Sequence, residues 1–233
     1  MLEVSGIDVF YGKFQAVRDV SLKIDKGQVV ALIGPNGAGK TTTLRTIVGV
    51  LKPSKGSITL NGNRIDRLPP HEIAKHKIGL VPEGRQLFDG MTVYENLLMG
   101  AYTRPRDEFL DSLQFCYKIF PILKERRNQL AGTLSGGEQQ MLAIARTLML
   151  KPDLLLVDEL SLGLMPRLAY DLFKVLEKIR DEGITVLIVE QHIRSALELS
   201  DKAYLMEQGT VVLESSSREM LESEHVKKVY LGI

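Results

Sequence analysis

The segment that most restricts how this chain can fold is Gly34-Pro35-Asn36-Gly37-Ala38-Gly39-Lys40-Thr41, which fits G-x-x-x-x-G-K-[ST] in full. It follows the apolar run Val29 to Ile33, bounded by Gly27 and Gly34, and opens a helix predicted from about Lys40 to Val50. In that strand–loop–helix setting the glycines let backbone N–H groups turn inward around phosphate oxygens, forming a concave nest for an anion. The helix adds unpaired N–H groups and the positive end of its dipole. Lys40 is placed to neutralise β- and γ-phosphate charge, the Thr41 hydroxyl is a Mg²⁺ ligand, and Thr42 continues the loop. Upstream, Tyr11 beside Gly12 reads either as an ordinary turn residue or as a ring that stacks on a base.

A second apolar strand, Leu154 to Val157, ends in two carboxylates, Asp158 and Glu159. A strand buried on both faces carries no charge until it emerges, so both acids belong at its C-terminal end, the edge where open α/β sheets bind ligands. One carboxylate suits Mg²⁺, directly or through water, and the next suits an attacking water. Between the two motifs lie the hairpin signal Ser57 to Leu60 with Asn61-Gly62, a strand at Ile78 to Val81, and a helical stretch from Thr92 to about Leu150 opened by the capping box Thr92/Glu95. Beyond Glu159 come a helix over about 167–181, a strand at Thr185 to Val189, a terminal hairpin (203–206 with 210–213) and two short helices. Strands alternating with helices predict a mostly parallel α/β sheet.

Bulk properties exclude several classes. The longest apolar runs, such as 154–157 and 186–189, fall far short of the roughly 18 residues of a membrane span. The start, Met1-Leu2-Glu3-Val4, leads straight into a strand-like pattern with no leader, so a cytoplasmic chain is expected. The single cysteine, Cys116, allows no internal disulfide and sits in an apolar-periodic stretch, reading as a core thiol. Thirty Lys and Arg against 29 Asp and Glu leave a net charge of +1, which argues against a nucleic-acid partner. His71, His76 and His225 read as solvated, Lys124 to Arg127 as a solvated face, and Met91, Met99, Met141, Met149 and Met165 as fillers of cores and interfaces.

Leu134-Ser135-Gly136-Gly137-Glu138-Gln139 is a helix start on physical grounds: Ser135 and Glu138 form a capping box, and the glycines leave N–H groups open to an anion. Lying between a phosphate loop and an apolar strand ending in Asp-Glu, it resembles the ABC ATPases, and the resemblance covers essentially the whole chain. That resemblance implies a P-loop NTPase core with a mostly parallel sheet, an N-terminal antiparallel β subdomain and an inserted all-helical subdomain. The whole chain, 1–233, is then one domain: 1–90 and 151–233 form the α/β core with its β subdomain, and about 91–150 the helical part. ATP and Mg²⁺ are the implied cofactors. Tyr11 resembles the adenine-stacking aromatic, Asp158 the Mg²⁺-site carboxylate and Glu159 the general base. Glu83 falls where the family usually has a glutamine that senses Mg²⁺ and the membrane subunit. Ser135, Gly136, Gly137 and Glu138 resemble the signature that contacts ATP held by a second ATPase subunit, identical or related. The helical insert, with the loop Arg85 to Phe88, resembles the surface that docks on integral-membrane permease subunits. The chain is therefore expected on the inner face of the cell membrane, held there by the permease.

Three departures from the family pattern stand out. Glu83 replaces the usual glutamine. The family's switch histidine aligns with Gln191, counted back from Ser200-Asp201, while His192 is one position away, and a one-residue slip at a strand end points a side chain the other way. Gln191 is the favoured γ-phosphate contact and His192 the alternative. Leu160 stands where proline is common, and Ser161 to Leu164 lacks the aspartate often found there. Val81 to Arg85, Gly136 to Ile144, Val189-Glu190-Gln191 and the terminal Tyr230-Leu231-Gly232 resemble the branched-chain amino-acid importer ATPases of the LivF type. Two other readings stay open: a regulatory module that holds ATP with little hydrolysis, and a soluble ABC ATPase without a transport role.

Overall fold

The computed structural model describes residues 1–231, without the side chains of Arg106, His225, Val229 and Leu231. Gly232 of the terminal motif and the side chain of His225 thus lie outside the described residues. Alternating apolar residues from Leu2 onward build β1 (Leu2–Tyr11), which pairs antiparallel with β2 (Phe14–Ile24). Burial along β1 changes phase between Val4 and Ile7, where the pairing register shifts and Gly6 has φ 55°, so a bulge keeps both halves of the strand facing inward. β4 (Lys55–Leu60) and β5 (Asn63–Arg64) complete a four-stranded sheet in the order β2-β1-β4-β5. Asn61 and Gly62 join the last two with positive φ at both positions, as their sequence predicts.

The second sheet has the order β10-β9-β3-β8-β7-β6. β3 (Val29–Ile33), β8 (Thr185–Glu190) and β7 (Leu154–Asp158) are buried at every residue, and β6 (Ile78–Val81) and β9 (Lys202–Glu207) flank them, all in parallel pairings. Only β10 (Thr210–Ser216) runs antiparallel, to β9. The period of two sorts the parallel strands between two cores. Val29, Ala31, Ile33, Leu155, Val157, Val186 and Ile188 face one core; Val30, Leu32, Leu154, Leu156, Leu187 and Val189 face the other.

The first core is closed by helices α3 (Val93–Gly100), α4 (Phe109–Ile119), α5 (Pro121–Glu125), α6 (Gly136–Leu148) and α7 (Pro166–Asp181). The second is closed by the antiparallel sheet and α1 (Lys40–Ile47). Thr92 and Ser135 cap α3 and α6 with reciprocal capping boxes, each as predicted. α2 (Pro70–Lys75) has no counterpart in the sequence reading; its apolar signal is the single buried Ile73, anchored by Pro70 at the first helical position. α8 (Ile193–Leu199), α9 (Ser217–Glu222) and α10 (Glu224–Val226) follow the later strands.

Cys116 is fully buried, its thiol donating to the Ala145 carbonyl at 3.3 Å, so it ties α4 to α6; burial pushes its pKa up. Two of the five methionines fill no core within this chain. Met99 is exposed, and Met165 is 74% exposed at the start of α7. The charged run 124–127 is not wholly solvated either: Arg126 pairs with Glu138 across 2.9 Å.

Candidate nucleotide-binding site

Four neighbouring parallel strands, β3, β8, β7 and β6, deliver the chemistry-bearing residues at their C-terminal ends. The phosphate loop leaves β3, Gln191 follows β8, Asp158 and Glu159 end β7, and Glu83 lies just beyond β6. A cavity of about 500 Å³ opens there. Asn36, Gly37, Ala38, Gly39, Lys40, Thr41 and Thr42 form one wall; Glu83, Glu159 and Gln191 face it, and Tyr11, Phe14 and Ala16 form the outer rim.

The loop needs its glycines for two separate reasons. Gly34 has φ 148°, and a Cβ there would lie 2.1 Å from the Met206 carbonyl of β9. Gly39 has φ 100° and caps α1 without any side-chain acceptor, so the first N–H groups of the helix stay free for an outside anion. Pro35 accepts from Ala38 N–H at 3.2 Å, closing the turn, and Gly209 donates to the Ala38 carbonyl at 3.1 Å, bracing the loop from the β9–β10 turn. The Lys40 ammonium is buried and donates to the carbonyls of Gly34 at 2.9 Å and Pro35 at 3.0 Å. Burial lowers its pKa, opposed by the negative charges of Glu159, Asp158, Glu190 and Glu83.

The Thr41 hydroxyl donates to Asp158 Oδ1 at 3.0 Å, which joins the two motifs across 117 residues of sequence. Burial pushes the Asp158 carboxyl up to about 6, the Thr41 bond pulling the other way and the Glu159 and Glu83 charges adding to the rise. Glu159 has the left-handed backbone angle φ 49°, held by its N–H donating to the Val189 carbonyl at 2.9 Å. A hard-oxygen set of one hydroxyl and one carboxylate would suit Mg²⁺, which takes oxygen ligands.

Tyr11 is 43% exposed and its hydroxyl lies 3.5 Å from Thr42 Oγ1, so its ring borders the cavity. At the switch position, Gln191 lines the cavity, whereas His192 lines a crevice of about 30 Å³ beside it. Ser135, Gly136, Gly137 and Glu138 line neither. They sit at the start of α6, with Ser135 exposed and Gly137 buried, where Glu138 accepts from Ser135 N–H at 2.9 Å and pairs with Arg126. Arg85, whose guanidinium donates to Gln139 at 2.7 Å, brings positive charge to the same helix end, and a Cβ on Gly136 would lie 3.2 Å from it.

Several contacts here escaped the sequence reading. Phe14 and Ala16 reach the cavity because β2 begins three residues before the predicted Val17. Arg146 of α6 donates to the Gln86 carbonyl at 2.7 Å and the Arg85 carbonyl at 3.2 Å, fastening the loop after β6 to the signature helix. Glu190 closes the apolar strand β8 as Asp158 closes β7, a signal of the same kind.

A phosphate loop, a strand-end Asp-Glu pair and a capped Ser-Gly-Gly-Glu helix start on one α/β frame define an ABC ATPase. The chain belongs to the ABC transporter family, whose model matches residues 17–161. Among curated relatives it is 46% identical to the high-affinity branched-chain amino acid transport ATP-binding protein BraG of Pseudomonas aeruginosa, over the full length of both chains. It is 39% identical to the probable branched-chain amino acid transport ATP-binding protein LivF of Archaeoglobus fulgidus, covering 100% of this chain and 99% of the relative. The lipopolysaccharide export system ATP-binding protein LptB of Escherichia coli is 36% identical, covering 94% of this chain and 91% of the relative. Among solved structures, a nucleotide-free ATP-binding cassette from an ABC transporter matches with a TM-score of 0.86 at 30% identity, covering 100% of this chain and 99% of that one. A dimeric cassette in a post-hydrolysis state bound to ADP and Pi matches at 0.83 and 27% identity, covering 94% of this chain and 99% of that one.

Proposed function

We propose that this chain energises import of branched-chain amino acids by hydrolysing Mg-ATP between two ATPase subunits seated on integral-membrane permease subunits. The observation that carries the chemistry is the Thr41–Asp158 bond, with Glu159 and Gln191 placed across one cavity from Lys40. The residue roles follow from that placement. Tyr11 stacks on adenine, and the N–H groups of Gly34 to Thr42 hold the phosphates. Thr41 and Asp158, with Glu83 at the cavity wall, hold Mg²⁺, which when bound draws charge from the β- and γ-phosphate oxygens. Glu159 orients and deprotonates a water for in-line attack on the γ-phosphorus, while Lys40 stabilises the charge that spreads over the transferring group. Gln191, an amide able to donate to a γ-phosphate oxygen, takes the switch position, and His192 stays beside it.

Ser135 to Glu138 do not line their own chain's cavity, which favours a second subunit whose α6 N-terminus faces the γ-phosphate of this one. Hydrolysis then removes the charge that bridges the two subunits, and the pair reopens. No described helix is long and apolar enough to cross a membrane; in this reading, contact with the membrane runs through the permease subunits. The identity and full-length coverage of the branched-chain amino acid relatives support the solute over the lipopolysaccharide of the more distant ones.

Two measurements test this. Sedimentation of Glu159→Gln with and without Mg-ATP should show an ATP-dependent dimer; ATP binding by a chain that stays monomeric would replace the identical pair with a related second ATPase. Proteoliposomes holding the chain with its membrane subunits and a solute-binding protein should take up leucine, isoleucine or valine only with ATP inside. Uptake of none of the three would remove the solute assignment.

A further inference from the structure

Ser161 lies two residues beyond Glu159, in the loop that departs most from the family pattern. Glu190 closes β8 immediately before Gln191. Both are buried, Glu190 at 1% exposure. The Glu190 carboxylate accepts from Ser161 N–H at 3.0 Å on Oε1, and from the Ser161 hydroxyl at 2.8 Å and Gln191 N–H at 3.3 Å on Oε2. One residue earlier on the same strand, the Val189 carbonyl accepts from Glu159 N–H at 2.9 Å. The end of β8 therefore grips residues 159–161 at two points and holds its own exit residue with the same side chain.

Packing alone does not select this arrangement. Leu160, between the two gripped residues, is fully buried, and a carboxylate in such surroundings is costly unless several donors converge on it. Burial raises the Glu190 pKa, opposed by its bonds to Ser161 and Gln191. A carboxylate is an acceptor with lone pairs enough for two backbone donors and a hydroxyl at once. The left-handed backbone of Glu159 is a conformation that persists only where its surroundings over-determine it, and this grip supplies that restraint.

We propose that Glu190 is a positioning residue for hydrolysis: by binding Ser161 and Gln191 together, it sets the placement of Glu159 against Gln191 across the nucleotide cavity. The inference rests on the roles given above to Glu159 and Gln191. It assigns a function to the loop from Leu160 to Leu164 within its own subunit, where the family resemblance left a departure without consequence.

The test is a double-mutant cycle on the full chain, with Ser161→Ala, Glu190→Gln and the pair, reading kcat for Mg-ATP hydrolysis, ATP affinity and urea unfolding. Each single variant should lower kcat about tenfold, in scale with one charge-assisted hydrogen bond lost from the groups that hold Glu159 in place. ATP affinity should stay within about twofold, and the pair should fall no further than the worse single. Wild-type kcat in Ser161→Ala, or losses that multiply in the pair, would overturn the proposal, even with a lowered unfolding midpoint, since a purely structural tie changes stability without changing turnover. Glu159→Gln separates the two levels. Turnover lost there but intact in Ser161→Ala and Glu190→Gln sinks the positioning role and leaves the reading of Glu159 standing. Turnover that persists in Glu159→Gln removes that reading, and with it the group that Glu190 is said to place.

Discussion

Helices α1 and α6 both begin with glycines and both present an N-terminus suited to phosphate, yet they are finished in opposite ways. α1 starts at Gly39 with no side-chain cap, and a buried lysine stands in its first turn. α6 starts at Ser135, whose hydroxyl accepts from Glu138 N–H while Glu138 accepts from Ser135 N–H. The first helix leaves its donors to the ligand; the second meets two of its own, the N–H groups of Ser135 and Glu138, and keeps those of Gly136 and Gly137 for a ligand. In the proposed function the uncapped end is the primary binding site, and the capped end engages a phosphate already held by another subunit.

The largest effect that could break this contrast comes from Lys40→Ala. Loss of the buried Lys40 ammonium should weaken ATP binding at least tenfold and cut turnover about a thousandfold, the scale of removing a preorganised charge contact. Calorimetry and phosphate release measure the two; turnover retained within tenfold would place the primary site elsewhere. Next comes Ser135→Ala, which should leave ATP affinity of the single chain within about twofold while lowering turnover about tenfold. It should also cost about 1 kcal/mol of stability as a lost cap. Thr92→Ala sharpens that result, because the same capping box closes α3 away from the cavity. It should cost about the same 1 kcal/mol in urea unfolding with turnover unchanged. A drop in turnover equal to that of Ser135→Ala would mean that α6 acts through stability alone.

The smallest effect is in pH. Asp158 is pushed up to about 6 by burial, so as pH falls through that value the carboxylate protonates and the Mg²⁺ needed for half-maximal turnover should rise, about tenfold per unit below it. Sign matters here. A raised carboxyl pKa means the folded, metal-free chain binds the proton more tightly than the unfolded chain. Asp158 therefore adds stability as pH falls from about 6 towards its ordinary range, and loss of metal affinity is not a sign of unfolding. A Mg²⁺ requirement flat between pH 7 and 5 would contradict the burial-driven shift.

What the sequence disclosed divides along the same line. Features set by neighbours in the chain were legible: the loop between Ile33 and Lys40, the capping boxes at Thr92 and Ser135, the Asn61-Gly62 turn, and the acids that end β7. Each is a local pattern of backbone donors or of an apolar run that stops. Features set by pairing across the fold were not. Phe14 reaches the cavity only through the register of β2 on β1, and Arg146 meets the carbonyls of Arg85 and Gln86 only once α6 lies against the loop after β6. The Glu190–Ser161 tie joins residues 29 apart, and no spacing rule links them. Residue type alone does not say whether Met165 fills a core or an interface; its exposed thioether just before α7 fills no core of its own chain.

Cys116 gives the experimenter an unplanned advantage. Its thiol is enclosed between α4 and α6, bonded to a carbonyl and held in its unreactive protonated form. The natural chain is therefore silent towards thiol-directed dyes and spin labels while it stays folded. A single cysteine introduced near Met165 or Ser135 would be the sole reporter, so distances between two subunits can be followed through a catalytic cycle without first removing anything from the protein.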